Sequence, residues 1–573
     1  MTRNSEVAKI LKEIAILLEV EGKDQFKPRA YYRAVRTIGA LGEDIEAVAK
    51  RDELTSIPGI GKSLAGLIKT YLETGEVEIL NELRAKIPVK VMELEAIPGL
   101  GPKKIKILYD EISVTDLDSM EKAAEDDKIS GLKGMGKKTQ DQILAGIQLV
   151  RSGLKRTLYA DAEPIVDRIL SVVAKVQGVR RAEAAGSFRR RRETVGDIDV
   201  LVDAEDADPV MDAFVKMNDV VDIIGRGPTK SSVRLKTNLS VDLRVLPADS
   251  YGAGLQYFTG SVDHNIALRG IAKKMGLRLN EYGLFREKDK KVVASKDEES
   301  IYEALGLSWV PPELRESTGE VEAAQNGELP TLIELKDIQG DLHSHTDQSD
   351  GSHPIEEMLD AADAMGYKYY CVSDHTQSLT IANGMDETRL LKRIDEIDDL
   401  NASGKWKLKI LKGAEVDILS AGELDIRDDV LEQLDLVTVS IHSRMKDDKK
   451  TMTERVCNAL ENKSVHILGH PTGRLIHKRF EFEIDLEQVF EVAKANNVAM
   501  ELNAHPSRLD LNPGNLRAAT RRGLKIAINT DAHKILELSN MKFGVYQARR
   551  GWITKEDVLN TYPLKKFLRF IKK

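Results

Sequence analysis

Three aspartates occupy positions where carboxylates can do chemistry. Asp197 and Asp199 lie in Asp197-Ile198-Asp199-Val200-Leu201-Val202, which is otherwise apolar and β-branched and so predicts a strand. Side chains alternate along a strand, which puts both carboxylates on one face with Cα atoms roughly 7 Å apart. Two charges that close repel unless a cation lies between them. Asp242 falls in Ser240-Val241-Asp242-Leu243-Arg244-Val245-Leu246, a strict alternation that sets it and Arg244 opposite the apolar residues. Upstream, Gly186-Ser187-Phe188-Arg189-Arg190-Arg191-Arg192 predicts a strand end turning into a short helix. Its N–H groups, the Ser187 hydroxyl and the arginines suit a phosphate. One aspartate on an edge strand is ordinarily solvated. Three carboxylates beside a phosphate cradle are what metal-assisted nucleotidyl transfer needs.

A second chemistry lies further on. Of 11 histidines, all but His264 fall at or beyond His343. From residue 339 the pattern predicts short strands (340–345, 369–374, 408–416, 436–441, 465–469, 499–503 and 525–529) separated by amphipathic helices such as 355–365, 387–400 and 486–495. Seven β/α units predict a barrel of the TIM type, one strand short. At the C-terminal strand ends stand His343, His345, Asp350, His375, Glu415, His442, His470, Asp531 and His533. A single histidine is more often a core or surface residue, but nine nitrogen and oxygen donors on one rim read as a metal centre. Such a donor set suits manganese, zinc or iron better than calcium.

Around these sites the rest of the chain must supply positioning. Its 573 residues require several domains. The net charge is −8, so any nucleic-acid contact must come from local patches and backbone donors. Two cysteines, Cys371 and Cys457, in apolar contexts exclude a disulfide framework and suit a reducing compartment. With no signal peptide and no apolar run of membrane length, a soluble cytoplasmic protein is expected.

Residues 1–150 predict short helices. An apolar residue followed by Gly-x-Gly opens a helix three times: at Gly59, Gly61 and Lys62; at Gly99, Gly101, Lys103 and Lys104; and at Gly134, Gly136 and Lys137. Glycines let backbone amides approach a DNA phosphate, and lysines add attraction that is independent of sequence. Residues 316–338 begin with a stretch rich in Glu, Ala and Gly, which predicts a linker.

The chain to about residue 315 resembles family X DNA polymerases, the polymerase-beta family. Gly186-Ser187, the Asp197/Asp199 strand and Asp242 match its palm. Tyr257-Phe258-Thr259-Gly260-Ser261 matches its nucleotide-pocket motif, and the Gly-x-Gly turns match helix-hairpin-helix motifs. The resemblance implies an N-terminal helical DNA-binding domain (1–85), a fingers-like region (86–150), a nucleotidyltransferase palm (151–250) and a thumb (251–315). It implies two Mg2+ ions on Asp197, Asp199 and Asp242. The nucleotide would be bound by Gly186, Ser187, Arg190, Gly196, Tyr257, Phe258, Gly260, Asn265 and Arg269. The family's lyase lysine falls on Leu67, flanked by Lys62 and Lys69, whereas Tyr31 matches.

Residues 339–573 resemble the PHP (polymerase and histidinol phosphatase) domain, with all nine family ligand positions filled. That implies up to three Mn2+ or Zn2+ ions and hydrolysis of a phosphodiester at a DNA 3′ end. The combined expectation is a monomeric gap-filling polymerase of base excision repair, acting on primed or gapped duplex DNA and dNTPs. It would carry a 3′–5′ exonuclease or 3′-end-processing activity, with cutting at abasic sites also open. The rival readings are a DNA-binding polymerase whose barrel is only structural, and a nucleotidyltransferase paired with a small-molecule phosphatase.

Overall fold

The computed structural model describes residues 3–23, 26–39, 45–57, 59–97 and 99–572. Pro58 and Pro98 of the first two Gly-x-Gly motifs lie outside the described residues. By packing, the chain divides into two units, one of residues 1–154 with 477–479 and one of the remainder.

In the first unit, the regular elements among the described residues of 1–154 are all helices. Its helices Lys62–Thr74, Pro102–Ile112 and Lys137–Lys155 each open directly after a Gly-x-Gly turn. The first glycine of each turn is left-handed, with φ of 86° at Gly59, 79° at Gly99 and 78° at Gly134. That conformation is open to glycine at little cost, and it explains the repeated residue. Apolar residues one turn apart on these helices, such as Leu64 with Ile68 and Ile105 with Leu108, enter a single core.

In the second unit the palm is a five-stranded mixed sheet. Its order is Val179–Ala184, Asp197–Ala204, Ser240–Leu246, Lys230–Leu235, Val220–Arg226. The two aspartate-bearing strands are parallel neighbours, with Asp199 opposite Asp242 and Asp197 opposite Ser240. Ile198, Val200, Val202, Val241, Leu243 and Val245 bury one face of the sheet, which leaves the aspartates on the other. Next come the helices Tyr251–Thr259 and Val262–Lys274, a three-stranded antiparallel sheet and the helix Glu298–Ala304.

The expected linker is a packed part of this region. Residues 320–326 form a helix whose Val321 and Ala324 join the same core as Leu268 and Tyr302. Glu320 is fully buried, 2.6 Å from His264 Nδ1, and His264 Nε2 lies 2.8 Å from the Tyr302 hydroxyl. Composition misleads here, because a buried hydrogen-bond chain through Glu320, His264 and Tyr302 uses a residue that counts as linker-like.

The barrel has seven parallel strands in sequence order. A parallel bridge between Ser344 and Ala532 connects its first and last strand ends. Leu342, Tyr369, Leu411, Leu436, Ile467 and Ala527 fill its interior together with Phe567 and Ile571 of the C-terminal helix. Cys371 and Cys457 are free and buried. No described helix is long and apolar enough to cross a membrane.

Candidate active sites in the palm and the barrel

In the palm, Gly186 opens the short helix Gly186–Arg189 at φ 60°. A Cβ on Gly186 would lie 2.4 Å from Asp199 Oδ2, so only glycine lets this turn approach the carboxylate. Burial first, then the charges of Asp197 and Asp242, raise the Asp199 carboxyl to about 6. Lys230 pairs with Asp242 at 2.6 Å. Arg244 and Lys230 offset this crowding only in part, which leaves the three carboxylates short of positive charge that divalent cations would fill.

A cleft of about 570 Å3 beside them is lined by Gly186, Ser187, Arg190, Asp197, Asp199, Tyr257, Phe258, Gly260, Asn265 and Arg269. Gly196 and Asp242, both expected at the site, stand outside that lining; Asp242 reaches the site through its pairing with Asp199. Arg192, one of the arginines expected beside a phosphate, lines the cleft too, and Arg156 and Val262 line it without having been singled out. The cleft is held by a bridge that the sequence did not announce. Arg189 donates to both oxygens of Glu298, at 2.8 and 2.9 Å, and Arg315 donates to the same carboxylate at 2.6 Å. Arg190 donates to Glu316 at 3.0 Å and to the Thr259 carbonyl at 2.5 Å. Asn265 donates to the Tyr257 carbonyl at 2.7 Å and Arg269 to the Asn265 carbonyl at 3.2 Å.

The barrel rim gathers all nine expected donors. Glu415 lies at the centre: its oxygens are 2.9 Å from His375 Nδ1, 3.0 Å from His470 Nε2, 3.3 Å from His343 Nε2 and 3.4 Å from His442 Nε2. Asp531 Oδ1 is 3.1 Å from His345 Nε2, and Asp350 Oδ1 is 3.3 Å from His533 Nε2. Three groups have donor atoms close enough for a shared ion: His345, Asp350, His375 and His533; His343, His345 and Glu415; and His375, Glu415 and His442. His343 Nε2, His345 Nδ1, His375 Nδ1 and Glu415 Oε2 are buried without a hydrogen-bond partner despite these short separations. Buried polar atoms are rarely left so, and lone pairs aimed at shared points rather than at one another fit metal ligation. Burial disfavours charge on Glu415, but His375, His343 and His442 outweigh it and hold the carboxyl well below its usual range.

Five of the seven rim strands are shorter than expected. The first ends at Asp341 rather than 345, so His343 and His345 sit on the loop beyond it. The sixth strand, Ala499–Asn503, contributes Glu501, which the sequence reading did not select. Glu501 lies 2.7 Å from His343 Nδ1 and accepts from the His470 N–H at 2.7 Å, while Asp417 is 3.1 Å from His442 Nδ1. These carboxylates fix ring orientation from behind. Glu501 stands in the largely apolar strand Ala499–Asn503, which was the available signal, whereas Asp417 ends a strand that also carries Lys409, Lys412 and Glu415. Asp374 is a brace, accepting from Thr346 and Ser349, and Asp341 accepts from Thr530 and His343 N–H groups.

At the hairpins, Lys62 and Lys103 are exposed, whereas Lys104 donates to the Gly99 carbonyl at 3.0 Å and Lys137 pairs with Asp127 at 3.0 Å.

The comparisons follow this division. The DNA polymerase beta palm profile matches residues 159–241 and the DNA polymerase beta thumb profile residues 254–316. The PHP domain profile matches 341–505, a helix-hairpin-helix domain 2–77 and a SAM-like helix-hairpin-helix tandem 91–148. The chain is 39% identical over 570 residues to the DNA polymerase/3'-5' exonuclease PolX of Bacillus subtilis (strain 168), covering 99% of each. It belongs to the PolX family. Other members of the comparison cover only parts of this PolX chain. DNA polymerase lambda of Rattus norvegicus is 25% identical over 342 residues, 55% of this chain and 56% of that protein. A probable phosphatase of Thermoanaerobacter sp. (strain X514) is 29% identical over 233 residues, 39% of this chain and 89% of that protein.

Proposed function

We propose that the chain is a DNA-directed DNA polymerase that fills short gaps during base excision repair, and that its barrel is a metal-dependent 3′–5′ exonuclease. The observation that carries this reading is the end-to-end match to PolX in a chain that keeps both a palm carboxylate trio and a nine-donor rim. In the palm, Asp197 and Asp199 would hold two Mg2+ ions and Asp242 would share one of them beside the primer 3′-hydroxyl. The Ser187 hydroxyl and Arg190 guanidinium would hold the β and γ phosphates, with Gly186 and Gly196 allowing close backbone approach. Arg190 donates to Glu316 through Nε and to the Thr259 carbonyl through Nη1, so Nη2 is the donor it would offer a phosphate. Tyr257, Phe258 and Gly260 would flank the nucleotide, Asn265 would contact it and Arg269 would reach the template minor groove.

In the barrel, His343, His345, Asp350, His375, Glu415, His442, His470, Asp531 and His533 would hold up to three Mn2+ or Zn2+ ions. Such ions lower the pKa of water and neutralise phosphate charge when bound. The chain's own part is to fix the imidazoles through Glu501 and Asp417 and to bury Glu415 and Asp531 away from bulk water. The hairpin glycines 59, 61, 99, 101, 134 and 136, with Lys62, Lys103, Lys104 and Lys137, would bind DNA backbone. We place the protein in the cytoplasm as a monomer. A labelled gapped duplex incubated with and without dNTPs, in Mg2+ and then Mn2+, tests the reading: extension with dNTPs and shortening without them are expected. Failure of both would overturn it.

A further inference from the structure

Asp531 divides its two oxygens between different neighbours. Oδ1 faces the imidazoles, 3.1 Å from His345 Nε2 and 3.7 Å from His343 Nε2. Oδ2 accepts from Asn503 Nδ2 at 2.9 Å and lies 3.4 Å from Arg508 Nε. The amide already holds that oxygen well, whereas the guanidinium meets it at a separation longer than a good charge-assisted hydrogen bond. Arg508 therefore has donors to spare. Its Nη1 is buried and has no hydrogen-bond partner, and the side chain as a whole is 20% exposed.

The position of this side chain is set by backbone bonds that any residue would make there. Arg508 lies just beyond the sixth strand, its N–H donating to the His505 carbonyl at 2.8 Å. Its own carbonyl accepts from Arg474 Nε at 2.8 Å. A buried guanidinium N–H without an acceptor is costly, and the planar fork of arginine matches phosphate oxygens in a way a lysine point charge does not. A guanidinium held beside a carboxylate of the rim, with an edge unspent, lacks an anion.

We propose that Arg508 is the phosphate-binding residue of the barrel site. Its Nη1 edge takes a non-bridging oxygen of the phosphodiester being hydrolysed, and then of the nucleoside monophosphate released. In that hydrolysis a water oxygen joins phosphorus as the bond to the neighbouring 3′ oxygen breaks, and the 3′ oxygen leaves as a hydroxyl. The inference rests on the phosphoesterase reading of the barrel given above.

The test uses the full chain loaded with Mn2+, as the parent, Arg508→Gln and Arg508→Lys. Calorimetric titration with dTMP and with inorganic phosphate reads binding without turnover. Metal content, gap filling and degradation of a 3′-labelled oligonucleotide are measured on the same samples. Arg508→Gln is expected to bind dTMP about 10- to 100-fold more weakly, with a matching fall in kcat/KM for degradation. Metal content and gap filling should equal the parent's, and Arg508→Lys should recover part of the loss. Unchanged dTMP affinity overturns the proposal. So does loss of metal together with binding, since Arg508 would then serve only to hold Asp531. A parent that binds dTMP through Arg508 yet leaves DNA intact supports the assignment and removes the exonuclease reading. A parent that binds neither phosphate removes both.

Discussion

Glu193 of the palm accepts hydrogen bonds from Arg474 and Gln547 of the barrel, both at 2.5 Å. Arg474 stands four residues beyond His470, and Glu193 lies in the turn between Arg190 and Asp197, so one carboxylate joins the margins of the two candidate sites. Around it the barrel residues Leu509 and Phe543 enter the palm core, and the Arg191 guanidinium lies 4.1 Å from the Tyr546 ring centroid. Palm and barrel share a packed boundary.

Replacing Glu193 by alanine leaves Arg474 short of an acceptor in that boundary. The expected cost is about 2 kcal/mol, the usual size for a lost hydrogen bond to a charged group. Urea unfolding of the full chain reads it as a lower midpoint for the transition that includes palm and barrel. An unaltered midpoint would mean the contact contributes nothing.

Gly186→Ala should fold but extend primers poorly. The added Cβ would meet Asp199 Oδ2 at 2.4 Å, at a backbone φ of 60° that alanine adopts with strain. Displacing one carboxylate by about 1 Å should lower kcat/KM for nucleotide addition roughly 100-fold. Single-nucleotide gap filling measures this, and parental kinetics would contradict the placement of Asp199.

The Glu298 bridge carries a pH signature. Burial works against its charge, but Arg315 and Arg189 prevail and hold the carboxyl at about 2, below its ordinary 4.5. A carboxyl depressed on folding contributes stability that is complete above pH 4.5 and is lost as pH falls toward 2, here about 3 kcal/mol. Glu298→Gln should therefore flatten the acid limb of the stability curve between those pH values. An acid limb identical to the parent's would show that the bridge is not what titrates.

Abasic-sugar lyase activity should be absent. Leu67 sits half-buried on the helix Lys62–Thr74, and a hydrocarbon side chain cannot form a Schiff base. Lys69 is paired with Asp52 at 3.3 Å. Borohydride should trap no adduct on an incised abasic duplex. Efficient trapping that disappears in Lys62→Ala or Lys69→Ala would show that a neighbouring lysine has taken the role.

The sequence made the aspartate strands legible because a strand states its own alternation: Asp197 and Asp199 fell on one face and Asp242 opposite the apolar residues of its own strand, while the pairing of the two strands came only with the fold. The rim histidines were legible because they fall at the C-terminal ends of the expected strands. What the sequence hid were partners distant along the chain. Glu298 reads as one acid among several until Arg189 and Arg315 fold onto it, and Glu320 reads as linker until His264 meets it. Glu501 was masked by treating strand interiors as packing, and Asp417 by standing one residue beyond the expected end of its strand at 416. Arg508 lies in a loop whose spacing carries no periodicity.

The central claim is that two chemically separate sites act on one DNA strand. It is tested most directly by product length against time on a single labelled primer in a gapped duplex, with the parent, Asp242→Ala and His375→Ala. The account predicts that Asp242→Ala ceases to extend but still shortens the 3′ end, while His375→Ala extends and no longer shortens it. Degradation by His375→Ala at the parental rate, or gap filling by Asp242→Ala near the parental rate, would contradict it.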